Sequence, residues 1–328
     1  MLNVVVYFNF GTRPRKKLNN TGMPELPEVQ TIVNELKKRI CGLTIIDFWT
    51  DTPKLIKRPS AVQFSKKIKG LTIVDVQRRG KNLIFYLQPN KGKSGKVYVM
   101  LAHQKMTGHF LVGQWNVKKI GGKYSVVPKT KGPISLDKYN SYIRMIFYLN
   151  NGWQLGLSDL RKFAKVILGS AQEIENSKDI KELGPDALSP KFNVDYIYSI
   201  FQKRNKAVKP ILLEQKVVSG VGNIYGDEAL FVAKINPLQK SKTLSKKDVV
   251  KLIGAIREVL KKALKLRGTS ASDYRDTYGK RGSYDKVRYV YDREGLPCRV
   301  CKTPIKRVKI GQRSSHFCPC CQPLKKIK

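Results

Sequence analysis

Apolar positions first fall into a regular pattern just after Met23-Pro24-Glu25-Leu26-Pro27-Glu28-Val29. Val29, Ile32, Val33, Leu36 and Ile40 share one face of a 3.6-residue period, which predicts an amphipathic helix opening at that motif. Pro27 suits a first helical turn, and Glu25 and Glu28 suit the positive end of the helix dipole. From there to about residue 157 the period shortens to that of strands. Runs rich in β-branched and aromatic residues at 43–48, 71–76, 82–87, 97–101, 142–149 and 153–157, separated by Gly, Pro and Lys, predict an antiparallel β-sandwich carrying one N-terminal helix. Residues 176–190 are polar and turn-rich, and read as a hinge or linker.

Beyond that linker the helical period returns at 196–202, 208–219, 224–233 and 245–266. In the last of these Val249, Val250, Ile253, Ile256, Val259, Leu260 and Ala263 form an apolar face, with Ser245 as N-cap and Gly268 as C-cap. The turn Gly220-Val221-Gly222-Asn223 joins the second and third helices. Asn223 there is read either as an ordinary N-cap or as a side chain facing a phosphate.

Charge changes this picture more than length does. The 328 residues hold 64 Lys and Arg against 24 Asp and Glu, a formal net charge of +40 with only 3 His to modulate it. Nucleic acid is the acidic partner that best exploits such a balance, because each neutralised phosphate releases a counterion. Codon bias in an AT-rich genome would enrich Lys, Asn and Ile as well. Hydrophobic residues make up 41% of the chain, which excludes a disordered basic tail, and no apolar run is long enough to span a membrane. Residues 1–22 read as an extension to the folded body. Their charges follow a short apolar run, the reverse of a secretory signal.

Four of the six cysteines form two close pairs. Cys298-x-x-Cys301, sixteen intervening residues, then Cys318-x-x-Cys321 is the spacing of a four-thiolate zinc site, and residues 305–317 alternate like a β-hairpin broken at Gly311. Cys320 and Cys41 are read as spectators. The basic residues Lys306, Arg307, Lys309 and Arg313 make that hairpin a cationic finger.

The Met23-to-Val29 motif, the stretch Gly220-Val221-Gly222-Asn223-Ile224-Tyr225-Gly226-Asp227-Glu228-Ala229-Leu230-Phe231, and the finger with Gly311-Gln312-Arg313-Ser314 together resemble formamidopyrimidine-DNA glycosylase. The resemblance runs in order from Met23 to about Pro323. It implies a multidomain α+β fold: an N-terminal β-sandwich with a helix, a helix-two-turn-helix domain and a C-terminal zinc-finger β-hairpin. The corresponding boundaries are 1–22 for the extension, then 23–180, 181–285 and 286–325.

The family's chemistry places Pro24 as an N-terminal secondary-amine nucleophile on C1′ of the damaged nucleotide, Glu25 as general acid/base, and Glu28 as a second carboxylate holding water. Lys81, in Arg78-Arg79-Gly80-Lys81, matches a catalytic-site lysine that grips a phosphate. Because a base within a duplex is out of reach, the enzyme must extrude it and fill the gap. Met106, Arg161 and Phe163 match the residues that do so, and Asn223 and Arg313 match phosphate contacts. Residues 268–284 resemble the loop that closes over the extruded base, although their sequence departs from the common pattern.

The resemblance further implies one structural Zn2+, duplex DNA with oxidised bases or abasic sites as partner, a monomer, and a nucleoid-associated place in the bacterial cytoplasm. The opening motif and the Met/Arg/Phe set favour the oxidised-purine branch, with 8-oxoguanine and formamidopyrimidines as substrates and β,δ-elimination after excision, over the endonuclease VIII branch. An internal Pro24 has an acylated nitrogen, so catalysis needs the extension to be an overcalled start or to be removed. Two other readings compete: a catalytically silent DNA-binding protein, and a basic RNA- or ribosome-associated protein.

Overall fold

The computed structural model describes residues 22–89, 97–270 and 273–325, so the extension lies outside the described residues except for Gly22. Helix α1 (Leu26–Ile40) forms where the apolar stripe predicts it, and Val29, Ile32, Val33, Leu36 and Ile40 are all buried. Burying side chains of this kind stabilises by about 1.5–3 kcal/mol each. The next elements are β1 (Ile45–Thr50), β2 (Ile56–Arg58), α2 (Ala61–Ile68), β3 (Leu71–Arg79), β4 (Asn82–Pro89), β5 (Tyr98–His103) and β6 (His109–Gly113). Then come β7 (Trp115–Ile120), β8 (Lys123–Pro128), α3 (Pro133–Leu136), β9 (Ile143–Leu149), β10 (Gln154–Ser158) and β11 (Lys165–Ser170).

Two sheets, ordered β1-β9-β10-β6 and β2-β11-β5-β4-β3, enclose a core in which Phe48, Phe64, Phe85, Phe110 and Phe147 interlock with the apolar face of α1. The sandwich is antiparallel except where β2 runs parallel to β11. β2, β6, β7, β8 and β11 were not apparent as strands in the sequence. In the β7-β8 hairpin Lys118, Lys119 and Lys123 interrupt the apolar alternation, and its apolar side packs on the outside of the sandwich rather than in its core.

Short helices α4 (Ala171–Glu175) and α5 (Lys178–Lys181) occupy the turn-rich stretch, whose end is tied back to the sandwich. The Arg78 guanidinium holds Asp186 through two hydrogen bonds of 2.5 and 3.0 Å, and Arg79 donates to the Leu183 carbonyl. The helical half contains α6 (Val194–Gln202), α7 (Val208–Leu213), α8 (Asn223–Val232) and α9 (Lys246–Lys265). Leu26, the first residue of α1, inserts into this second core, so one helix bridges both halves.

Three expectations are corrected. The helix expected over 208–219 stops at Leu213, because Glu214 turns extended and the Gln215 side chain binds Gly220 N and the Val221 carbonyl, closing a compact turn. Asn223 is not the N-cap of α8; Gly222 is, and Asn223 is the first helical residue. Val250 is 54% exposed, lying about 100° around α9 from Val249, while Leu252 and Ala255 complete the buried face.

Leu252→Ala should therefore cost about 2–5 kcal/mol in denaturant unfolding, and Val250→Ala under about 0.5 kcal/mol. Equal losses would contradict this helical face.

Candidate active site

Two helix N-termini meet head to head at Glu25 and Glu28. Glu25 is the N-cap residue of α1, and its buried carboxylate accepts hydrogen bonds from Ile224 N at 2.8 Å and Tyr225 N at 3.3 Å, in the first turn of α8. Glu28 accepts from Glu25 N at 2.9 Å, Thr269 N at 2.7 Å and the Tyr225 hydroxyl at 2.5 Å. Position 222 has no room for a side chain while Glu25 keeps these bonds, because a Cβ there would lie 2.3 Å from the Glu25 carboxyl carbon. Burial raises the pKa of Glu25 against the opposing pull of Lys81 and the two amides. Burial, with Glu25 adjacent, raises Glu28 to about 7. At neutral pH the pair therefore retains a proton, and one carboxyl can donate while its neighbour accepts.

Pro24 is buried immediately before this pair, in peptide linkage to Met23. Lys81 sits in the Gly80-Lys81 turn between β3 and β4; burial lowers its pKa, which Glu25 opposes. Met23, Glu25 and Lys81 line one cavity with Asn223 and Arg313. The expected acid and phosphate-binding side chains, drawn from all three regions of the chain, thus converge, with Pro24 next to Glu25 in the chain. The Oδ1 of Asn223 is buried without a hydrogen-bond partner, and Arg313 is exposed on the finger.

Met106, Arg161 and Phe163 also come together, from two different loops. Arg161 donates to the Met106 sulfur at 3.2 Å, and its guanidinium lies 4.7 Å from the centre of the Phe163 ring. Arg161 and Phe163 are exposed, a cost that a water-facing apolar wedge incurs until it is covered. Each loop carries a left-handed lysine, Lys105 and Lys162, both at φ 55°. Such strain persists only where the surroundings enforce it. Buried Asp159 does so by accepting from Thr107 Oγ1 in one loop and from Ala164 N, at 2.8 Å, in the other.

The finger hangs on the other end of α8. Buried Asp227 accepts from the Lys209 ammonium, from Ser315 Oγ at 2.5 Å and from His316 N at 2.9 Å. Glu228 accepts from the amides of Tyr289, Val290 and Tyr291 at 2.8–2.9 Å. The hairpin strands are β12 (Lys306–Ile310) and β13 (Arg313–Phe317), as the alternation predicted. Tyr225, Asp227, Glu228 and Lys209 escaped the reading of individual residues. The available signal was an acidic pair inside an otherwise apolar helix, which must be paired to be buried.

The Sγ atoms of Cys298, Cys301, Cys318 and Cys321 all lie within 4.8 Å of one another. A tetrahedron with bonds of about 2.3 Å needs S···S separations of about 3.8 Å. Cys298–Cys321 at 3.9 Å and Cys301–Cys318 at 3.4 Å come close to that, and Val300 N and Cys321 N each point at a sulfur from 3.4 Å. The donor set therefore fits one structural zinc ion. Cys320 is exposed and Cys41 lies far off in the sequence at the end of α1; neither belongs to the group.

Comparison with known proteins agrees with each region. Family models match residues 23–166 as the formamidopyrimidine-DNA glycosylase N-terminal domain, 183–275 as the H2TH domain of that enzyme, and 295–324 as a zinc finger found in FPG and IleRS. Formamidopyrimidine-DNA glycosylase from Oceanobacillus iheyensis is 37% identical over 304 residues, covering 92% of this chain and 99% of the relative. The same enzyme from Enterococcus faecalis is 36% identical, covering 92% and 98%. Among solved structures, Lactococcus lactis Fpg bound to abasic-site DNA superposes with TM-score 0.77 at 31% identity, covering 91% of this chain and 99% of that one. A G226P mutant of that protein bound to Fapy-dG DNA gives the same score at 31% identity, covering 92% and 100%. No helix among the described residues is long and apolar enough to cross a membrane.

Two tests follow from this geometry. The folded protein keeps a proton on Glu28 up to about pH 7, whereas an ordinary carboxyl releases it near 4.5. Its stabilising contribution is thus complete below the unfolded value and is lost as pH rises through 7, by at most about 3 kcal/mol. The stability difference between Glu28→Gln and the parent should grow in favour of the variant between pH 5 and 8; a difference that stays flat would remove the raised pKa. Chelation should withdraw one zinc per chain and raise amide exchange in β12 and β13 while α9 stays protected.

Proposed function

The chain belongs to the formamidopyrimidine-DNA glycosylase family, a family of base-excision-repair DNA glycosylases, and on that premise we propose that it excises oxidised purines and cleaves the strand at the resulting abasic site. The observation that carries this reading is the buried carboxylate pair Glu25 and Glu28, of which Glu25 directly follows Pro24 and lines one cavity with Lys81, Asn223 and Arg313.

The steps assign each group a task. With Met23 and the preceding residues gone, the Pro24 nitrogen becomes a secondary amine with a reference pKa of about 8, low enough to leave a usable neutral fraction. It attacks C1′, the C1′–base bond breaks and the base departs with a proton. Glu25, whose pKa burial raises, gives a proton to the sugar oxygen as the ring opens to an iminium. That cation acidifies the 2′ hydrogen, whose proton passes to the now ionised Glu25 as the 3′ phosphate leaves by β-elimination, and loss of the 4′ proton to water then expels the 5′ phosphate by δ-elimination. Hydrolysis of the imine then restores the amine. Glu28 holds water, and Lys81, Asn223 and Arg313 carry the flanking phosphates. Met106, Arg161 and Phe163 fill the space left by the extruded base.

With Pro24 acylated the iminium cannot form, and the same surface would bind damaged DNA without cutting it. The family match begins at Met23, which supports the free-amine form.

Borohydride trapping on an 8-oxoguanine duplex separates the two. A covalent adduct should come from protein started at Met23 and not from protein started at Met1. Glu25→Gln should lose about 10²- to 10⁴-fold in excision rate. A folded, zinc-loaded Met23 form that gives no adduct on this duplex or on an abasic one would sink the enzymatic reading. Arg313→Ala should weaken binding to all duplexes alike and reduce the slope of log K against log salt by about one.

A further inference from the structure

Between β6 and β9 the chain leaves the sandwich for residues 114–142, an excursion that the proposed reaction does not use. Its root is firm. Trp115 is 2% exposed and packs with Leu111, Ile134, Ile143 and Ile146, and Val117 and Val126 join that cluster from the two strands of the β7-β8 hairpin. The hairpin is therefore a fixed platform on the outer face of the sheet that contains β6, β9 and β10. It is also a sheet of two strands only, and neither strand pairs with a third among the described residues.

The register tells which backbone groups are open. Gly121 and Gly122, at φ 55° and 78°, form a two-residue turn that sets Ile120 opposite Lys123 as a mutually hydrogen-bonded pair. Such pairs alternate along an antiparallel ladder. Lys118 with Ser125 and Asn116 with Val127 are therefore bonded as well, whereas the N–H and C=O groups of Tyr124 and Val126 point away from β7. No acceptor outside the hairpin meets either amide among the described residues. The opposite edge, that of β7, is already engaged where it begins: Trp115 N donates to Gln154 Oε1 at 2.8 Å, and the Trp115 carbonyl accepts from Gln154 Nε2 at 3.3 Å. β8 is thus the edge that offers unpaired donors and acceptors to a further strand.

Charge decides what can add there. Residues 114–136 hold Lys118, Lys119, Lys123, Lys129 and Lys131, all exposed, and no Asp or Glu. Such an edge repels a second copy of itself and attracts an acidic strand. The two faces of the hairpin differ. Lys123, with Lys118 on the neighbouring strand, lies on the face turned away from the sandwich, while Tyr124 and Val126 lie on the face turned toward it. Tyr124 is nevertheless 49% exposed. A strand added beside β8 would therefore meet cations on its outer face and uncovered apolar surface on its inner face. A nucleic-acid backbone would answer the lysines alone. The Tyr124 ring is no stacking platform for a base, since it packs against Trp49 at 5.4 Å between centres, with the Lys119 ammonium 5.9 Å from its own centre.

We propose that the outer edge of β8 is a docking site for an extended acidic segment of a partner protein, which adds as a third strand with carboxylates and apolar side chains in alternation. Its backbone pairs with Tyr124 and Val126, its carboxylates lie on the side of Lys118 and Lys123, and its apolar side chains cover Tyr124. The site is independent of the excision reaction.

The experiment uses the full chain and two nine-residue peptides of equal composition, one alternating glutamate with valine and one with the glutamates in a single block. The alternating peptide should bind about tenfold more tightly, and should slow amide exchange at Tyr124 and Val126, whose N–H groups face outward in the unbound protein. Val126→Pro removes one outward donor without touching a bonded pair of the hairpin, and should weaken binding about tenfold. Val117→Pro is its matched control, changing the cross-strand neighbour and the other edge, and should stay within about twofold of the parent. Reversing both Lys118→Glu and Lys123→Glu should weaken the peptide at least about tenfold and leave affinity for a DNA duplex within about twofold. Equal binding of the two peptides, or no binding of the alternating one, would overturn the proposal. So would unchanged exchange at Tyr124 and Val126, which needs no variant to fold, or equal losses from the two proline variants. A charge reversal that weakens the duplex more than the peptide would make this face a nucleic-acid surface and overturn it as well.

Discussion

Burying two carboxylates side by side is the constraint from which the rest of this structure follows. An uncompensated carboxylate in an apolar interior costs several kcal/mol, and a second one beside it makes ionisation harder still. Glu25 and Glu28 are tolerated because donors arrive from separate parts of the chain: two amides from the first turn of α8, a hydroxyl from Tyr225 and an amide from Thr269. The sandwich adds the positive charge of Lys81. No single region can satisfy the pair, so the site exists only when the sandwich, the helical half and the segment after α9 are assembled. Gly222 marks the tightness of that assembly, since α8 approaches Glu25 too closely for any side chain.

Helix α8 solves the same problem again one turn further along. Asp227 and Glu228 are buried in an apolar helix, and what satisfies them is the finger and the stretch leading into it. Zinc closes the open end of the hairpin at Cys301 and Cys318, and Asp227 holds Ser315 and His316 along the same strand. From that fixed base Arg313, beside the turn, reaches the cavity at Glu25 although it lies 288 residues away in the chain, counting 313 − 25. Metal and helix together thus set the position of one guanidinium.

How much of this was legible in the sequence depended on whether a feature is local. The stripe of α1, the cysteine spacing and the alternation about Gly311 are periodic over a few residues and were read directly. The residues expected to act on DNA were reached through resemblance, since Met106, Arg161 and Phe163 look like ordinary loop side chains until the fold brings them together. The β7-β8 hairpin was missed because lysines interrupt its alternation and its apolar side covers a sheet's outer face. The helix over 208–219 was overextended because the Gln215 side chain, rather than any helix-breaking residue, ends it. Tyr225, Asp227 and Glu228 were quoted within a motif without roles, for partners such as Glu28, His316 and Tyr291 lie more than 60 residues away.

The strong positive charge and the buried acids act on each other. Across the cavity Arg313 adds to burial in lowering the Lys81 pKa. A phosphate placed between them would offset that repulsion and favour the charged ammonium. The same phosphate, being negative, would make it harder for Glu25 and Glu28 to ionise, because a nearby like charge disfavours the ionised carboxylate. On the proposed reading, DNA would therefore do more than present a lesion. Its backbone would favour the charged form of the lysine and the acidic form of Glu25, so that the duplex itself biases the site toward its working protonation state.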